Sequence, residues 1–145
     1  METKTSVNSL IIINNDRFEG YKKAAEETTD ADLKALFNRF SEQSKGWAES
    51  LRVFADKDEP GHDETTLSGK VYRVWMDIKS AVTAKDRKAI LSSCEYGEDV
   101  AKKTYDEVME HSDSLPAEIM DILRKQRSEL QQAHDEVKAM RDSIK

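Results

Sequence analysis

Apolar residues recur at alternating steps of three and four along most of this chain, and only two prolines and five glycines interrupt them. That spacing lines up one face of an α-helix, whereas a half-buried strand alternates at every second residue. The first stripe is Val7, Leu10/Ile11, Asn14, Phe18, Tyr21 and Ala25. The second carries Leu33, Leu36/Phe37, Phe40, Ser44, Trp47, Leu51 and Phe54. A shorter stripe holds Val71, Val74/Trp75 and Ile78, and a third long one holds Ile90/Leu91, Cys94, Glu98, Ala101, Tyr105 and Val108. The last shows Ile119, Ile122/Leu123, Gln126, Leu130, Ala133, Val137, Met140 and Ile144. The pattern predicts helices over about residues 6–27, 31–56, 67–82, 86–111 and 116–143 of a single domain, 1–145.

The breaks set the wiring. Thr28-Thr29-Asp30 is a short connection with Asp30 placed as an N-cap, so the first two long helices are expected to be antiparallel neighbours. Asp58-Glu59-Pro60-Gly61-His62-Asp63 is the strongest break. Ser112-Asp113-Ser114-Leu115-Pro116 separates the last two helices, with Pro116 suited to a first helical turn. Hairpin, long connection, hairpin is the wiring of an all-α, antiparallel, ferritin-like four-helix bundle whose long crossover contains a short extra helix. A weak internal repeat agrees, with Asn14–Tyr21 superimposing on Glu98–Tyr105.

Charge and cysteine content narrow the function classes. A net charge of −6 gives no basic stripe for phosphates, so no nucleic acid is expected as partner. Leu10 to Ile13 is too short an apolar run to span a bilayer, and Met1–Thr5 has no basic region leading into a signal core. Cys94 is alone, which suits a reducing compartment. The expectation is a cytoplasmic protein without a membrane partner.

The informative residues are the polar ones on apolar stripes. Asn14, Ser44, Glu98 and Gln126 interrupt four helices, and Gln131 and His134 flank the last stripe. A buried carboxylate is costly unless paired, hydrogen-bonded or on a metal. Asn14, Ser44, Glu98 and the Gln131/His134 pair are all roughly mid-helix and are expected to meet in one layer, which ordinarily fixes helix register through hydrogen bonds. His62 and His111 are expected to be exposed, and Trp47 and Trp75 to pack. Cys94, on a core stripe without an evident histidine partner, reads as a packed thiol, and no catalytic constellation is found.

Ile13-Asn14-Asn15-Asp16-Arg17-Phe18-Glu19-Gly20-Tyr21-Lys22-Lys23-Ala24-Ala25-Glu26 resembles the first-helix signature of a bacterial family of uncharacterised four-helix-bundle proteins, a domain of unknown function in the ferritin-like superfamily. Trp75-Met76-Asp77-Ile78-Lys79, Cys94-Glu95-Tyr96-Gly97-Glu98-Asp99 and Gln132-Ala133-His134-Asp135 resemble its other signatures. The di-iron members of that superfamily use a Glu on each of two helices and Glu-x-x-His on the other two. Aligned on Tyr21 and Tyr105, the resemblance implies that Asn14, Ser44, Trp47 and Gln131 occupy lost ligand positions, while Glu98 and His134 remain and Glu95 could add a third ligand.

The first reading is therefore a non-catalytic structural or interaction protein with a degenerate di-iron site and no cofactor. It is expected to form a homo-oligomer, a dimer, with apolar surface at Ile12 and around Tyr72/Trp75. The alternative is a metal-binding oxidoreductase or storage protein holding iron, manganese or zinc on Glu98, His134 and Glu95. A small-molecule or lipid carrier ranks last.

Overall fold

A computed structural model describes residues 3–55, 69–110 and 115–144, with side chains from residue 7 onward. The break at 58–63 with His62, the start at Leu67, and His111 lie outside the described residues. The described residues form five helices: α1 Thr3–Glu27, α2 Ala31–Arg52, α3 Gly69–Ala84, α4 Arg87–Met109 and α5 Ala117–Asp142. Each expected helix is present, and the fold is an all-α bundle.

The ends follow local chemistry. Asp86 caps α4, its Oδ1 accepting from the Ala89 amide at 3.1 Å. Asp30 has the extended backbone of an N-cap but makes no side-chain cap bond. Its carboxylate lies 3.4 Å from Arg87 at the start of α4 instead. Pro116 stands one position before the helix, at the N-cap of α5. The second helix stops at Arg52, short of the expected 56, because the amides of Phe54 and Ala55 bond three residues back and tighten the chain into a turn. Between α3 and α4 the chain reverses on Lys85, at φ +57°. The Lys85 amide bonds Val82 and the Asp86 amide bonds Ala81, a Schellman closure that brings α4 back along α3.

Side-chain pairs fix which helices meet and in which sense. Asn14–Ser44 and Phe18–Ser41 run α1 antiparallel to α2. Tyr105–Gln126 and Glu95–Arg141 do the same for α4 and α5. Asn14–Tyr105 and Tyr21–Glu98 join α1 to α4, and Trp47–Glu129 and Arg39–Glu136 join α2 to α5, again antiparallel. The helix α3 lies across α1 and α4.

Two glycines let α3 dock closely. A methyl group at Gly20 would sit 2.2–2.5 Å from the Trp75 ring, and one at Gly97 2.8 Å from Val74 Cγ1. Only hydrogen at those positions lets Trp75 and Val74 reach the surface of α1 and α4.

The apolar core divides into two clusters. One gathers Leu33, Phe37, Ile78, Leu91 and Val137, and the other Leu10, Ile11, Leu51, Val108 and Leu123. A polar layer contributed by α1, α2, α4 and α5 separates them. Phe18, expected on the α1 stripe, is only half-buried, and Arg17 takes the interior place beside it.

Candidate functional site

The polar layer is built around Arg17. Its guanidinium donates through Nε and Nη2 to Glu98, with the shortest contact 2.7 Å, and both side chains are at most 3% exposed. Nη1 donates to Ser44 Oγ at 2.9 Å and to the Phe40 carbonyl at 3.1 Å. The rings of Phe40, Trp47 and Tyr21 stand 5.0, 5.1 and 5.3 Å from the guanidinium carbon, so cation–π attraction adds to the ion pair. A planar fork with donors along its edges and rings against its faces is a fit that lysine could not reproduce.

The bonds continue in both directions. Tyr21 Oη donates to Glu98 Oε1 at 3.1 Å. Ser44 Oγ donates to Asn14 Oδ1, Asn14 Nδ2 donates to Tyr105 Oη at 2.7 Å, and Tyr105 Oη donates to Gln126 Oε1 at 2.7 Å. Every polar group that the sequence places on a stripe thus has a partner, as low-dielectric burial demands. Asn14, Ser44 and Glu98 share a hydrogen-bonded layer as expected, but its α5 member is Gln126 and not the Gln131/His134 pair, because Gln126 is the one whose side chain meets Tyr105.

Burial and charge act together on the ionisable groups. Burial works against the charge on Arg17, but the adjacent Glu98 carboxylate outweighs it and raises the pKa. Burial, then the Glu98 charge, pushes the Tyr21 phenol well above its ordinary range. Tyr105 is raised chiefly by burial, and the fully buried Cys94 thiol by burial and then Glu98. All three hold their protons at neutral pH. Cys94 is a packed thiol rather than a nucleophile.

The remaining candidates lie elsewhere. Gln131 and His134 are not in the layer. They face the outside of the α4–α5 pair, where Gln131 accepts from Lys102 and Arg127. His134 Nε2 lies 3.1 Å from Asp99 Oδ1 and 3.7 Å from Glu95 Oε1. The structure therefore brings Glu95 and His134 together with Asp99, and keeps Glu98 inside with Arg17 and Tyr21. Trp47 is buried and donates its indole N–H to Glu129 at 2.9 Å.

Two residues carry more than their sequence positions suggest. Arg17 sits three residues after Asn14 and four before Tyr21, which is a stripe position, but Phe18 beside it fits the apolar pattern better. Asp99 follows Glu95 at the i,i+4 spacing that stacks two side chains on one helix face.

The inner residues do not fit a dinuclear metal centre. Such a centre takes its charge balance from several carboxylates, and here the Glu98 carboxylate is held by a fixed guanidinium. Asn14, Ser44 and Gln126 are neutral and already bonded to one another through Tyr105 and Arg17. The cavity beside the pair, lined by Arg17, Val74, Trp75, Gly97 and Glu98 among others, measures about 10 Å³, room for one water.

The fold and site together define a helical bundle with a charged, fully bonded core layer. The chain matches the family described as a domain of unknown function (DUF2383) over residues 2–111, and it belongs to that family. The match takes in α1 to α4 and ends before α5. No curated protein matches the chain. Among the described residues, no helix is long and apolar enough to cross a membrane.

Proposed function

We propose that this chain is a ferritin-like four-helix bundle, with α3 in the crossover, that serves as a non-catalytic structural or interaction protein. In this reading the dinuclear centre of the fold has been replaced by Arg17, whose guanidinium provides the positive charge that two metals would bring. The observation that carries it is the Arg17–Glu98 pair, closed by Ser44 and by the rings of Tyr21, Phe40 and Trp47. The helix pairing and the antiparallel senses support the ferritin-like arrangement.

Self-association belongs to the same reading. Tyr72 and Met76 on α3 are 36% and 38% exposed, apolar surface of the kind that a second copy of the chain would cover. Anaerobic loading with ferrous iron, followed by oxygen and a solution mass, tests both parts. The expected result is a dimer with no oxo-bridged diferric absorption. A diferric chromophore in the wild-type chain would refute the replacement of the centre, and a monomer at high concentration would remove the self-association.

A further inference from the structure

We propose that Glu95, Asp99 and His134 form a mononuclear site for a divalent transition cation of zinc type on the outer face of the α4–α5 pair. This goes beyond the core reading and uses none of the layer residues. One ligand atom from each of the three lies within 4.8 Å of the others. Ligand bonds of about 2.1 Å in a tetrahedron place the ligand atoms about 3.4 Å apart. The two edges from His134 Nε2, 3.1 Å to Asp99 and 3.7 Å to Glu95, straddle that length. Water would complete the shell.

The orientation of the imidazole points the same way. Its Nδ1 lies 3.0 Å from Asp135 Oδ1, and that carboxylate is itself held by Gln131 Nε2 at 2.9 Å. A carboxylate on Nδ1 is the support that metal-bound histidines carry, and in the tautomer with its proton on Nδ1 the Nε2 lone pair faces Asp99 and Glu95. In that tautomer the Nε2 lone pair converges with one oxygen each of Asp99 and Glu95, carboxylates that Lys102 and Arg141 also contact. A proton on Nε2 reaches Asp99 but leaves Glu95 at 3.7 Å, beyond hydrogen-bond range, whereas a metal at the centre binds all three. One imidazole with two carboxylates is a nitrogen–oxygen set suited to zinc and its first-row neighbours.

Two cations border the site and temper its affinity. Arg141 is bonded to Glu95 Oε2, leaving Oε1 toward His134. Lys102 lies 3.1 Å from the same Asp99 oxygen that faces His134, so a bound ion displaces it. Zinc is therefore expected to bind reversibly.

The test is zinc titration of the chelator-treated full-length chain by calorimetry, with the His134 ring nitrogens followed by NMR. One zinc per chain and a shift of the His134 Nε2 signal are expected. His134→Gln and Asp99→Asn should each weaken binding at least tenfold, with helical content unchanged. Asp135→Asn should weaken it by about 10–100-fold through the ring's orientation. Lys102→Gln should tighten it. Absence of binding at millimolar zinc, or binding unchanged in both His134→Gln and Asp99→Asn, would overturn the site. Either failure leaves the core reading standing, since neither Arg17 nor Glu98 is involved.

Discussion

Glu98 and Glu95 stand one turn apart on the same helix and have opposite surroundings. Glu98 points inward, at most 1% exposed, and is neutralised by an arginine that is itself buried. Glu95 points toward α5, where Arg141, His134 and solvent share its charge. The difference teaches where a bundle can keep charge. Inside, a carboxylate needs a permanent partner and full hydrogen bonding, because an unpaired charge there costs several kcal/mol. Outside, its partners are exchangeable, and the same residue type can accept a cation from solution.

Removing one member of each pair should separate the two environments most clearly. Arg17→Ala leaves Glu98 buried without a counter-charge and is expected to cost about 3–5 kcal/mol in denaturant unfolding. The double change Arg17→Met with Glu98→Leu should recover most of that loss, since apolar replacement of a buried pair is often neutral. A loss below about 1 kcal/mol for Arg17→Ala would break the contrast.

The seal over the inner pair is the next point of attack. Gly20→Ala drives a methyl group into the Trp75 ring and is expected to cost about 1–3 kcal/mol, with a change in tryptophan fluorescence as α3 shifts. Unchanged stability and fluorescence would show that α3 does not need that close approach.

Alkaline pH probes the inner groups alone. Cys94, Tyr21 and Tyr105 hold their protons more tightly folded than unfolded, so the folded state binds more protons above the unfolded pKa values. Stability is then full below the ordinary cysteine value of about 8.5 and falls as pH rises past it and past about 10 for tyrosine. The slope reaches about 1.4 kcal/mol per pH unit for each group that titrates. Urea midpoints between neutral and alkaline pH would show the fall, and a flat profile would contradict the burial of these groups.

The smallest effect is expected on the outer side. Arg141→Ala should cost about 1 kcal/mol or less, because Glu95 stays partly hydrated and keeps His134 nearby. A cost equal to that of Arg17→Ala would erase the distinction between the two carboxylates.

The helices were legible because the three-and-four spacing is a local property of the chain. Asn14, Ser44 and Glu98 were legible as a layer because each breaks an apolar stripe mid-helix, but the α5 member was expected at Gln131 and His134 and is Gln126, which lies on the stripe itself and faces Tyr105. Arg17 was not legible, since an arginine beside Phe18 normally extends its charge to solvent, and its burial depends on a carboxylate 81 positions away. The grouping of Asp99 with His134 was hidden for a similar reason. Asp99 is adjacent to a core residue and reads as solvated, and only the packing of α4 against α5 brings His134 to it. The early end of α2 reflects a turn closed by two backbone bonds that no residue type announces.

The proposal that an arginine stands in place of a metal centre is tested most directly at the Arg17 side chain. In a ¹H–¹⁵N spectrum assigned by comparison with Arg17→Lys, the Arg17 Nε–H should appear as a resolved, slowly exchanging signal. It should persist when ferrous iron is added without oxygen to the His134→Gln chain, in which the outer site is disabled. A signal exchanging as fast as an exposed arginine, or one that disappears as iron binds, would contradict the account.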